Sequence, residues 1–147
     1  GYYAAYCYVE SSHHYQGDAK ATHNQLDKAQ AIMDELVKDY ENESEIFALQ
    51  SLIYQLRITD MAKGAKYSGL SHEMLDKAER LDSENPRAYY LRGTNLFHTP
   101  KYFGGGAEKA KPYFEKAAKL FASQNSENGI EPAWDKAHNN EMLSQCK

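Results

Sequence analysis

Apolar residues recur at helical spacing along most of the chain, and polar or turn-forming residues interrupt them at intervals, which predicts seven helices. The first covers about residues 2–12 and is rich in Ala and Tyr, with a polar loop through His13, Gly17 and Asp18 behind it. The second, about 23–38, places Leu26, Ala29, Ile32, Met33 and Leu36 on one face, with Thr22 as its cap. A third runs over about 43–61 and carries Phe47, Ala48, Leu52, Tyr54, Leu56 and Ile58, until Gly64 and Gly69 break the pattern. Ser71 caps a fourth that ends at Leu81. Asn85 caps a fifth that runs to about His98, and its first residue is Pro86, where a missing N–H costs nothing. Beyond Thr99-Pro100 and the Phe103-Gly104-Gly105-Gly106 loop, a sixth spans about 107–122. Gln124 to Gly129 reads as a linker, and Pro132 opens a seventh helix that reaches almost to Cys146.

Composition supports an all-α chain. Val, Ile and Thr together number eleven, against eighteen Ala and twelve Leu, so strand formers are scarce and helix formers abundant. At 147 residues the chain is long enough to bury a core without disulfide or metal staples. A net charge of -4 with no block of Lys and Arg argues against a nucleic-acid partner. No apolar run approaches the roughly 20 residues that span a bilayer, so no transmembrane segment is expected. The start at Gly1, without a Met or a signal-peptide pattern, reads as the trimmed end of a longer precursor.

Sequential helix pairs raise the question of an internal repeat. Tyr89, Gly93 and Leu96 occupy large, small and large positions on one helix, and Ala110, Phe114 and Ala117 follow on the next. Upstream, Phe47, Ser51 and Tyr54 precede Ser71, Leu75 and Ala78; earlier still, Ala5 and Tyr8 precede Ala29, Met33 and Leu36. Phe47 lies 11 residues after Leu36, and Tyr89 lies 11 after Ala78. These spacings resemble the tetratricopeptide repeat, in which a small residue lets the neighbouring helix approach and a large one fills the space between pairs. The turns inside the pairs are longer than the family's, Arg92 and Gln50 stand where it has Leu, and Ser83 stands where it has Pro, so the copies are divergent. The resemblance implies a right-handed solenoid of three helix pairs, about 2–38, 43–81 and 86–122, plus a capping helix at about 132–146. The block from Pro100 through Phe114-Glu115-Lys116-Ala117 to Pro132 and Trp134 is similar to exported bacterial cell-envelope members of that family. That similarity implies a periplasmic or envelope location and a signal peptide ahead of Gly1.

No motif points to catalysis, a cofactor or a metal. Gly104-Gly105-Gly106 precedes a helix, but with no strand before it and no Walker or Rossmann spacing it reads as a turn rather than a phosphate cradle. The six His residues form no His-x-x-x-His or His/Cys cluster. His72 with Asp76 and His138 with Glu141 share helix faces, yet each pair offers only two ligands where a structural zinc takes four. Cys7 and Cys146 sit at opposite ends of the expected stack, on the order of 25–30 Å apart for layers of 8–10 Å, which predicts two unpaired, buried thiols. Pro112 inside the sixth helix should bend it.

Twelve Tyr residues are the compositional oddity. Most fall on packing positions, but three stripes remain: Tyr2, Tyr6, Val9 and Glu10; Glu45, Ala48, Leu52 and Gln55; and Arg87, Tyr90, Thr94 and Phe97. In a tetratricopeptide superhelix the first helices of the pairs line the concave side. The resemblance therefore implies a partner-binding groove of Tyr2, Tyr6, Glu45, Gln55, Arg87, Tyr90, Thr94 and Phe97, suited to a protein or peptide partner. The C-terminal helix is the alternative occupant of that groove. Residues 24–60 hold eight acidic and three basic side chains, whereas 100–122 hold five Lys and two Glu, an asymmetry that fits orientation of a charged partner, weak head-to-tail self-association or simply solvated helix faces. The chain is thus expected to be a non-catalytic binding scaffold. The alternative is a small-molecule-binding accessory protein of a bacterial envelope transport system.

Overall fold

The computed structural model describes residues 1–124 and 134–147, and every regular element in them is helical. By internal packing the chain divides into two units, Gly1–Leu81 and Asp82–Lys147.

In the first unit, α1 (Tyr2–His13) packs on α2 (Ala19–Asp39), and α3 (Ser44–Leu56) packs on α4 (Met61–Leu81). Ala5 and Val9, Ala29 and Met33, and Ile46, Leu49 and Ile53 are the buried faces of α1, α2 and α3, and they close into one apolar cluster. The i, i+4 and i, i+3 spacing of each set is what turns a helical chain into a one-sided apolar surface. Helix α2 begins at Ala19, four residues before the expected start at residue 23. Its cap is Asp18, not Thr22: the Asp18 carboxylate accepts from the Ala21 amide at 3.0 Å.

The largest departure from the sequence pattern is at α4, which starts at Met61 and runs straight through Gly64 and Gly69. Asp60 caps it by accepting from the Lys63 amide at 2.8 Å. Each glycine costs a helix up to about 1 kcal/mol relative to alanine, a cost offset because Ser71, Leu75 and Ala78 bury the inner face of α4. Ser71 is therefore an interior residue and not a cap. Its hydroxyl shares a 2.8 Å hydrogen bond with Ser51 of α3 and accepts from the Gln55 amide at 3.1 Å. Helix α3 correspondingly ends at Leu56 rather than near Met61.

The second unit holds α5 (Pro86–His98), a short 3-10 turn (Lys101–Phe103), α6 (Ala107–Ser123) and α7 (Lys136–Gln145). The start of α5 follows the sequence reading, with the Asn85 side chain accepting from the Arg87 amide at 3.0 Å and Pro86 next to it. Gly93 of α5 allows close approach of α6: a Cβ placed there would lie 2.7 Å from Cε1 of the fully buried Phe114. The three-glycine loop closes the connection. Gly104 and Gly106 have φ of +87° and +108°, and a Cβ on Gly105 would lie 2.1 Å from the Thr99 carbonyl oxygen. The Gly106 amide donates to the Leu96 carbonyl at 2.8 Å, so these amides are committed to the turn. Helix α6 continues through Pro112 without interruption. Helix α7 packs on α6 through Asn139 and Met142, and the Asn139 amide donates to the Phe114 carbonyl at 3.0 Å. The expected opening of this helix at Pro132 and most of the expected linker lie outside the described residues.

Both cysteines are free: Cys146 is buried, and burial pushes its thiol above the usual range, but Cys7 is exposed, contrary to the expected burial. Among the described residues, no helix is long and apolar enough to cross a membrane.

Candidate functional site

The eight residues expected to line a groove occupy different environments. In the first unit, the Tyr2 hydroxyl donates to the Glu45 carboxylate at 3.2 Å, joining α1 to α3. Tyr6 is half-buried against the apolar cluster of α1–α3. Gln55 points at Ser71, into the α3–α4 pair. The turn between α1 and α2 also borders a cavity of about 340 Å³, whose lining includes Ser12, His13, Thr22, His23 and Leu56.

In the second unit, Arg87, Tyr90, Thr94 and Phe97 do share one face of α5, as their spacing requires. That face is covered over much of its length. Arg87 is 2% exposed, and the centre of its guanidinium lies 5.2 Å from the Trp134 ring centroid and 5.7 Å from that of Phe121. A guanidinium over aromatic rings is held by the ring quadrupoles as well as by apolar contact. Tyr90 is 4% exposed, with its ring 6.4 Å from Phe114 and 5.6 Å from His138 of α7. The Tyr90 hydroxyl and His138 Nδ1 are hydrogen-bonded. Thr94 turns its hydroxyl back to the Tyr90 carbonyl at 2.9 Å. Phe97 remains half-exposed and meets His98 edge-to-face at 5.3 Å. Thus α7 and Trp134 occupy the Arg87–Tyr90 part of the stripe, the alternative occupancy expected for the C-terminal helix.

The residues that sequence reasoning left out of this face are the two imidazoles. Loss of hydration and, second, the neighbouring His138 lower the His98 pKa from its ordinary value. The two rings are therefore electrostatic neighbours, brought together by α5 and α7. They lie 40 positions apart in the chain, so neither helical spacing nor a local motif relates them. His138 is exposed, and its Nδ1 is engaged by Tyr90. In the 3-10 turn after α5, Tyr102 and Phe103 stand 91% and 61% exposed, edge-to-face at 5.1 Å. The unit thus combines nitrogen donors with aromatic rings. Among the described residues no group of three or more His, Cys, Asp or Glu could hold a bare metal ion.

No family model matches the chain, and no curated protein does. Among solved structures, the HusA haemophore from Porphyromonas gingivalis is similar, with a TM-score of 0.72 and 27% identity over 99% of this chain and 72% of that one. This finding overturns the assignment to the tetratricopeptide family, and the protein- or peptide-binding scaffold is corrected with it. The physical reason is visible in the packing. A small residue at the contact, such as Gly93 against Phe114 or Ser51 against Ser71, is what any closely approaching helix pair requires. It reports tight pairing, not the family or its partner.

Proposed function

We propose that this chain is a haem-binding accessory protein of a bacterial envelope or extracellular uptake system, the small-molecule reading of the sequence given a definite ligand. The observation that carries it is likeness to a haemophore over 99% of the chain. The chemistry of the second unit agrees. Haem presents a broad apolar aromatic face, an iron that takes imidazole or phenolate as an axial ligand, and carboxylates at one edge. Half-exposed Phe97 offers a ring for the face, exposed His98 and His138 offer nitrogen for the iron, and residues 100–122 hold five Lys against two Glu. Nothing in this reading calls for catalysis.

The test is titration of the purified chain with haemin, followed by the Soret band and by quenching of the single tryptophan, Trp134. A saturable, stoichiometric shift of the Soret band is the expected result. Absence of both signals, with an unchanged elution volume in the presence of haemin, overturns the proposal.

A further inference from the structure

The turn between α5 and α6 presents Tyr102 and Phe103, the most exposed Tyr and Phe among the described residues. The turn does not depend on their rings, because its backbone holds it. The Phe103 and Gly105 amides donate to the Pro100 carbonyl at 2.9 and 3.1 Å, and the Gly104 amide donates to that of Lys101 at 3.0 Å. Gly106 closes onto Leu96 at 2.8 Å, and Gly105 is packed too tightly on Thr99 to accept a side chain. Two large apolar groups are thus held in water on a fixed platform, which loses little conformational freedom when a partner covers them.

The charges around the pair favour one kind of partner. Residues 101–111 hold three Lys and one Glu, in a chain whose net charge is -4. The Lys101 stem lies along Gly106, where an added Cβ would come within 2.9 Å of its Cγ, so its ammonium end stays beside the start of α6. Lys109 is exposed in the first turn of α6. Among the described residues neither lysine is in an ion pair, and the acid of this stretch is the exposed Glu108.

We propose that this turn docks the protein on a bilayer surface that carries anionic lipid. Tyr102 and Phe103 enter the boundary between headgroups and acyl chains, and Lys101 and Lys109 pair with headgroup phosphates. A protruding ring pair fits a surface that parts around it, whereas a folded partner would have to offer a matching cavity. Tyrosine suits that depth because its ring is apolar and its hydroxyl stays wet. Each lysine near an anionic surface adds attraction that salt screens. Two rings and two cations give reversible docking, and no membrane-spanning helix is required. The proposal stands on the α5–α6 turn alone and does not rest on the haem-binding reading.

The experiment is co-flotation of the purified chain, without haem, with phosphatidylcholine vesicles that contain phosphatidylglycerol and with phosphatidylcholine vesicles alone. Wild type is expected to float with the anionic vesicles, less with the neutral ones, and less again as salt is raised. Tyr102→Ala/Phe103→Ala should weaken the partition roughly tenfold or more. Lys101→Gln/Lys109→Gln should weaken it about fivefold per lysine on anionic vesicles and leave neutral vesicles unaffected. All four side chains are exposed, so the urea midpoints should match wild type. In Phe103→Trp, anionic vesicles should shift the emission to the blue by more than they shift Trp134 alone in wild type. Wild type that floats with neither vesicle overturns the proposal and leaves the rings to a protein partner. A Tyr102→Ala/Phe103→Ala variant that floats as well as wild type also overturns it, because charge alone then holds the chain.

Discussion

The α3–α4 pair of the first unit and the α5–α6 pair of the second solve the same packing problem with different chemistry. In the first, two small hydroxyl residues meet: Ser51 and Ser71 are fully buried, hydrogen-bonded to each other at 2.8 Å, with Gln55 completing the set. In the second, a glycine receives an aromatic edge, and the space where its Cβ would sit is filled by Phe114. Polar satisfaction holds one contact and shape complementarity the other. Phe114 also backs Tyr90, whose ring in turn meets that of His138. The first pair ends in its own hydrogen bonds, whereas the second passes its packing outward to a surface donor.

Three substitutions test that contrast, all read by urea denaturation. The largest effect is expected for Gly93→Ala. Overpacking typically costs about 1–3 kcal/mol, against a helix-propensity gain near 1 kcal/mol, so a net loss of up to about 2 kcal/mol is expected. A smaller ring partner, in the Gly93→Ala/Phe114→Leu double variant, should recover part of the loss. A stabilising Gly93→Ala would mean that the Phe114 ring moves aside freely.

Next comes Ser51→Ala, which removes one of the two partners that Ser71 holds and should cost about 1 kcal/mol. The Ser51→Ala/Ser71→Ala double variant should cost less than the two single changes summed, because their shared hydrogen bond is lost only once. Strict additivity would show that the serine contact contributes nothing beyond its volume. The smallest effect, opposite in sign to Gly93→Ala, is expected for Gly69→Ala. Gly69 is helical and exposed, and nothing lies within 4 Å of its missing Cβ. The change should stabilise the first unit by roughly 0.5–1 kcal/mol. Destabilisation there would indicate that α4 does not run through Gly69 in solution.

Much of the helical plan was legible from local signals. Asn85-Pro86 marks the start of α5 because side-chain capping and the fixed proline φ act within a few residues. The apolar stripe of α2 is legible for the same reason. The reading failed at α4, where Gly64 and Gly69 suggested a break. A glycine signals a preference of about 1 kcal/mol, and burial of Ser71, Leu75 and Ala78 outweighs it once α3 is in place. Asp60 was the available signal for the true start, obscured by the weight given to the glycines.

The candidate site was half legible. Arg87, Tyr90, Thr94 and Phe97 share a face by helical arithmetic, and that holds. The expectation built on it, a groove for a protein partner, came from treating a general packing pattern as a family signature. His138 was weighed only with its helix neighbour Glu141, so its meeting with Tyr90 across the chain went unread.

What the sequence by itself determined is therefore whatever depends on neighbours along the chain: helical class, capped helix starts, the one-sided apolar stripes, and the small residues that allow close pairing. What only the tertiary structure decided depends on residues far apart in the chain. Those are the run of α4 through its glycines, the burial of Arg87 and Tyr90 beneath Trp134 and α7, and the meeting of Tyr90 with His138 across 48 positions. The physical reason is one of range. Capping and periodicity act within one or two helical turns, but burial and hydrogen-bond partnership between helices are set only when distant segments exclude water together.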